Sequence, residues 1–88
     1  MKRKNKRKLI FDAAGLAAFG SRLKYLRAEA GLTQAQLAFE AGVSLSQIAR
    51  IETARINPTL STVFTISRAL DIPLSVMFDF DLPDNKRT

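Results

Sequence analysis

From residue 12 onward the apolar positions recur at helical spacing. Leu16, Phe19, Leu23 and Leu26 fall three or four apart, with Arg22, Lys24, Arg27 and Glu29 between them, and predict an amphipathic first helix. Gly31 ends it, because glycine takes the left-handed backbone that closes a helix at little steric cost. Leu32 follows, placed for the apolar contact that accompanies such an ending.

A second helix starts at once. Thr33 and Gln36 form a Thr-x-x-Gln capping box, in which each side chain satisfies an orphan backbone N–H. Leu37, Ala38 and Ala41 mark its buried side, and Gly42 stops it after about two turns. Val43 bridges to a third helix opened by a second capping box, Ser44 with Gln47, with Ile48 and Ile51 facing inward. Residues 54–58 are a loop in which Pro58 biases Asn57 towards extended backbone. Thr59 caps a fourth helix that buries Leu60, Val63, Phe64, Ile66, Ala69 and Leu70, until Asp71 and Pro73 break it.

Leu74, Val76, Met77 and Phe78 predict a short fifth helix. From Phe78 through Asp79, Phe80 and Asp81 to Leu82 the pattern alternates, which is strand-like, before the chain frays through Pro83 to Thr88. Five helices on short connections make an all-α domain. The chain divides into a basic N-terminal arm (1–11), a helical domain (12–82) and a C-terminal tail (83–88).

Charge adds a second feature. Lys2, Arg3, Lys4, Lys6, Arg7 and Lys8 crowd into the first eight residues, and the remaining basic and acidic residues balance, so the net +6 sits in the arm. Such a block suits a polyanion, since each cation that meets a phosphate releases a condensed counterion; on charge alone a solvated, solubilising tail is an equal alternative. Composition narrows the chemistry. The chain has no cysteine and no histidine, which removes disulfides, thiolates, the usual general base and the commonest metal ligand. No nucleophile–base pair, metal cluster or phosphate-cradling loop can be assembled, so an enzyme is not expected, and neither is a cofactor. Asp79, Asp81 and Asp84 hint at a calcium loop, but Asp84 stands where such a loop needs glycine and the final glutamate is missing. No apolar run approaches the about 18–20 residues of a membrane span. Leu9, Ile10 and Phe11 meet Asp12 too soon for a secretory signal. The expected location is cytoplasmic.

The informative constellation is the pair of short helices joined by Ala41-Gly42-Val43-Ser44. Ala38 lets the two helices cross closely, Gly42 permits the tight turn, and Val43, Ile48 and Ile51 plug the angle into the core. The third helix is left with a polar outer face to lay in a major groove.

The run from about Phe19 to Phe78 resembles the Cro/C1-type, or XRE-like, helix-turn-helix regulators. The resemblance rests on Arg22-Leu23-Lys24-Tyr25-Leu26-Arg27, Gly31-Leu32-Thr33-Gln34, Gln36-Leu37-Ala38 and Gly42-Val43-Ser44. It continues through Ile48-Ala49-Arg50-Ile51-Glu52, Asn57-Pro58-Thr59-Leu60 and Ala69-Leu70-Asp71-Ile72, in order and at the right spacing. It implies a five-helix, lambda-repressor-like DNA-binding domain whose recognition helix covers about residues 44–53. Ser44, Leu45, Ser46, Gln47 and Arg50 match positions that face base edges, and their chemistry agrees. Arginine grips guanine bidentately, serine donates or accepts, and leucine packs on a thymine methyl. Gln34 matches a glutamine that bonds a DNA phosphate and braces the recognition helix. Thr33, Thr53, Arg55 and Asn57 match positions at phosphate contacts, and Arg27 with Glu52 matches a buried ion pair between the first and third helices. Three positions depart from the family pattern: Asp71 replaces a usual glycine, Pro73 a usual serine cap, and Leu45 a residue that is often polar.

The function expected is sequence-specific binding of double-stranded DNA as a transcriptional repressor. Such regulators pair their domains on two half-sites, and Met77, Phe78, Phe80 and Leu82 are candidates for the homodimer contact. Closure of the domain's own core is the other use of these four. Leu9, Ile10 and Phe11 are candidates to join that surface by strand pairing with residues 78–82. Two alternatives stand beside this reading: an antitoxin-like module that binds a protein partner through the apolar C-terminal segment, and an RNA-associated factor that uses the arm.

Overall fold

The computed structural model describes residues 10–84. The six cations of the arm, Leu9 and the last four residues lie outside them. Five helices follow in order: α1 (Ala13–Glu29), α2 (Gln34–Ala41), α3 (Leu45–Glu52), α4 (Leu60–Leu70) and α5 (Leu74–Met77). Helix α2 packs against both α3 and α4, α1 lies along α3, and α5 closes the gap between α1 and α4. Leu23, Leu37, Ile48, Ile51, Ile66 and Met77 are fully buried where these helices meet.

The helix starts are built by side-chain caps. Asp12 Oδ1 accepts the Gly15 N–H at 2.9 Å. Thr33 and Gln36 close both bonds of their capping box, at 3.0 and 2.8 Å. Thr59 Oγ1 accepts the Thr62 N–H. Each such bond satisfies a donor that the helix cannot use internally. Ser44 caps α3 by accepting the Gln47 N–H at 3.0 Å, but the reciprocal bond from the Gln47 side chain is not made. Half of the expected box is therefore present, and the Gln47 amide is not spent on it.

The ends of α1 to α4 share one hydrogen-bond pattern. A residue with positive φ follows the helix, and the next N–H reaches back five residues: Leu32 to Arg27, Val43 to Ala38, Arg55 to Arg50 and Ile72 to Ser67. Gly31 and Gly42 fill the left-handed position after α1 and α2; Ala54 (φ 59°) and Asp71 (φ 56°) fill it after α3 and α4. The turn at Asp71 thus keeps the geometry of a glycine turn without the glycine. Pro73 precedes α5 and gives it no side-chain cap, and α5 is a single turn of four residues.

Several expectations are corrected. Residues 78–82 form no strand, and no strand occurs among the described residues. Phe78 caps α5, and the Phe80 N–H turns back onto the Phe78 carbonyl, so the backbone has no neighbouring strand to pair with. Ile10 and Phe11 approach this segment without ladder pairing. Met77 is fully buried and belongs to the core, so it is unavailable for a contact between subunits. Phe78 and Phe80 stack with Phe19, ring centroids 5.3 and 6.4 Å away, and close the domain's own interior as well as its edge. Leu60 and Phe64, expected inside, lie on the exposed side of α4 at 64% and 36% exposure.

Candidate nucleic-acid interface

The helix-turn-helix geometry comes from two constraints. Ala38, Ala41 and Ile48 are buried where α2 and α3 cross, and Gly42, at φ 71°, turns the chain between them. Ile48 and Ile51 anchor the inner side of α3 while Ser44, Leu45, Ser46 and Arg50 stand exposed on its outer side. Ser46 and Arg50 have no side-chain hydrogen-bond partner among the described residues. Ser44 Oγ accepts a bond in its cap and keeps its own hydroxyl proton to donate. Leu45 is half-exposed, an apolar surface at the start of the helix.

Beneath this face lies a polar hub. Arg27 Nε donates to Glu52 Oε2 at 2.6 Å and its Nη2 to Oε1 at 3.0 Å, a bidentate pair joining α1 to the end of α3. Arg27 Nη1 also donates to the Leu32 carbonyl, tying down the turn before α2. Gln34 Nε2 donates to Glu52 Oε1 at 2.9 Å, so the first residue of α2 is held by the last residue of α3. The Glu52 side chain is 2% exposed. Burial by itself pushes its carboxyl up. The hydrogen bonds from Arg27 and Gln34, with the charges of Arg27 and Lys24, outweigh that and hold it below the usual carboxylate range. Its bond to Arg27 likewise holds the guanidinium above its ordinary value, against the opposing pull of burial.

The hub brings the phosphate-contact candidates to one edge. Gln34 keeps its amide oxygen and one N–H proton free beside the end of α3. Thr33 Oγ1 accepts from Gln36 and retains a proton to donate. Arg55 and Asn57 are exposed just beyond α3. Thr53 differs, because its hydroxyl donates to the Ala49 carbonyl at 2.9 Å and would have to release it to meet a phosphate. The arm's cations, from Lys2 to Lys8, lie outside the described residues.

Gly20 is a residue that periodicity did not single out. A Cβ built there would stand 2.5 Å from the Ile51 carbonyl oxygen and 2.8 Å from that of Glu52. Only glycine lets α1 come this close to the end of α3. The available signal was a glycine inside an otherwise regular amphipathic helix, which costs helix stability unless close packing requires it. Arg22 was also passed over: its Nε donates to the Val76 carbonyl at 3.0 Å and joins α1 to α5.

Residues 23–77 match the helix-turn-helix family. The chain is 47% identical over 58 residues to an immunity repressor protein of Bacillus phage phi105; the match covers 66% of this chain and 40% of that protein. It is 33% identical over 61 residues to an uncharacterised HTH-type transcriptional regulator of Archaeoglobus fulgidus, covering 69% of this chain and 87% of the relative. Among solved structures, the restriction-modification controller protein C.AhdI of Aeromonas hydrophila superposes with a TM-score of 0.70 at 36% identity, over 72% of this chain and 96% of that one. With the turn, the anchored third helix and these likenesses together, the chain belongs to the Cro/C1-type helix-turn-helix family.

Proposed function

We propose that this chain is a cytoplasmic transcriptional regulator, a repressor, that binds operator DNA as a homodimer with α3 in the major groove. The observation that carries the reading is the contrast across α3. Its inner face is locked by Ile48, Ile51 and the Arg27–Glu52–Gln34 hub, while Ser46 and Arg50 project unpaired. A rigid helix with uncommitted polar side chains suits base readout, since nothing internal must be broken to make the contact. Helix-turn-helix domains read paired half-sites, so a two-fold dimer would set its α3 helices about 10–10.5 base pairs apart. The names of the phage and controller relatives agree with a regulatory role.

Base preference comes from Leu45, Ser46, Gln47 and Arg50. Affinity comes from Thr33, Gln34, Arg55 and Asn57 on phosphates, with the basic arm adding a salt-dependent share. Catalysis has no place in this reading. Among the described carboxylates Glu52 alone is not exposed, and it is committed to Arg27 and Gln34.

Selection from a random duplex-DNA pool at near-physiological salt tests the proposal. Enrichment of a palindrome with turn-spaced half-sites is expected. Arg50→Ala should erase preference at one or two base pairs, a loss of about 1–3 kcal/mol of discrimination. Removing residues 2–8 should instead weaken all sequences alike and flatten the salt dependence. A pool with no enriched motif sinks the reading.

A further inference from the structure

The strongest feature left over by the DNA reading is an apolar groove of about 540 Å³ between the start of α1, the 57–58 loop, the start of α4 and the tail. Phe19, Val63, Phe78 and Phe80 form its walls, and Ile10, Leu60 and Leu82 stand at its rim. The rim residues are 88%, 64% and 69% exposed. Three large aliphatic side chains projecting around an aromatic recess amount to a contact surface, since small soluble domains rarely leave such patches uncovered. Most of these residues lie outside the segment that matches the family, so the groove is made largely by this chain's own flanks.

We infer that this groove is the two-fold contact between copies of the chain, each seating its Ile10 and Leu82 in the recess of the other. The inference rests on the dimeric reading above and names the surface that reading lacks. Three observations select a second copy as the occupant. The patch carries both a recess and projecting side chains, which is what an isologous interface requires of one surface. It reaches Asn57 and Pro58, a few residues past the end of α3. A dyad that sets two α3 helices on one face of a duplex has to run beside such a DNA-facing edge.

Charge supplies the third argument. Asp79 and Asp81 interleave with the apolar tail residues, and Lys8 precedes Ile10 by two positions. A copy that seats its Ile10 therefore brings its basic block to the partner's acidic tail. With half-exposed Phe11 and Phe78 included, the exposed apolar surface is on the scale of the roughly 800 Å² that each partner contributes to a standard interface.

Sedimentation of the full chain over a concentration series, with and without a duplex carrying two half-sites, tests the contact. Leu82→Asp and Leu60→Asp alter side chains that are exposed in the single subunit, so helical circular dichroism should be unchanged. Each places a charge twice in a symmetric apolar contact and should weaken dimerisation about a hundredfold or more. Phe39→Asp is the control: its side chain is 84% exposed on α2, away from the groove, and association should stay within about twofold. If both leucine variants pair like the parent chain, in solution and on DNA, the contact is elsewhere and only this inference falls. A parent chain that is monomeric and occupies a single half-site overturns the dimeric reading and the inference together. A monomeric parent whose groove takes up an apolar fluorescent dye, lost in Leu82→Asp, also overturns the inference and assigns the recess to another occupant.

Discussion

The two flanks of α1 are held by unlike means. Towards α3 the contacts are directional: the Arg27–Glu52 pair, the Gln34 bond to the same carboxylate, and the bare backbone of Gly20 against two carbonyls. Towards the tail they are mainly apolar: three tilted or stacked phenylalanine rings, with Arg22 reaching the Val76 carbonyl and an exposed Asp79 at 4.0 Å. Hydrogen bonds and a close backbone approach fix distances and angles, whereas ring packing tolerates adjustment. Orientation is thus invested where α3 is aimed, and adaptable apolar surface is left where a partner can dock.

The largest effect should come from the directional flank. Glu52→Ala leaves a buried guanidinium without its counter-charge and is expected to cost about 3–5 kcal/mol of folding stability in urea titrations. Arg22→Ala on the other flank loses one bond and a long, exposed pair, and should cost no more than about 1.5 kcal/mol. Equal losses would erase the distinction. Acid titration sharpens it. The Glu52 carboxyl titrates lower in the folded chain than its unfolded value near 4.5, so the stability it contributes is present above that pH. It drains away as the pH falls through the lowered folded value. Glu52→Gln should be less stable at neutral pH and flatter across this acid limb, and an unchanged slope would remove Glu52 as its source.

Next in size is the close approach. Gly20→Ala drives a Cβ into backbone carbonyls that have nowhere to move, an expected loss of about 1–3 kcal/mol with a displaced α3 and weaker operator binding. Gly15→Ala on the same helix meets only the Asp12 side chain, which can swing aside. There the gain in helix propensity offsets the disturbed cap, and stability should stay within about 1 kcal/mol of the parent. If the two alanines behave alike, the contact with α3 is not what keeps Gly20 a glycine.

The same contrast decides what could be read from the residues. The turn and caps around α2 and α3 were legible, because Thr33, Gln36, Gly42 and Ser44 act on backbone only a few residues away. The recognition face followed from them. The role of Gly20 was not legible, since periodicity gives the direction of a side chain and not the distance between two helix axes. Alternation at Phe78–Leu82 suggested a strand, yet a strand needs a neighbouring backbone, and none lies beside these residues among those described. Leu60 and Phe64 sit on a helix whose apolar stripe is wider than its buried face, so pattern alone placed them inside.

The smallest effects, and the sharpest, concern the two left-handed turns without glycine, one on each side of the comparison. Ala54 ends α3 and Asp71 ends α4, with the backbone bonding of the glycine turns at Gly31 and Gly42. An alanine in this conformation crowds its Cβ against the backbone, at a cost of roughly 1–2 kcal/mol. An aspartate tolerates it better, because its short polar side chain finds local hydrogen bonds. Glycine relieves the strain but gives part of the gain back as extra freedom of the unfolded chain. Ala54→Gly should therefore stabilise by about 0.5–1 kcal/mol, and Asp71→Gly by about half of that or less, both read as shifts in urea midpoint at constant slope. Since the Ala54 turn directs Arg55 and Asn57 beside the recognition helix, the stabilised variant should keep its operator preference. A change in preference would mean that the strain at Ala54 itself sets how those two residues meet the duplex.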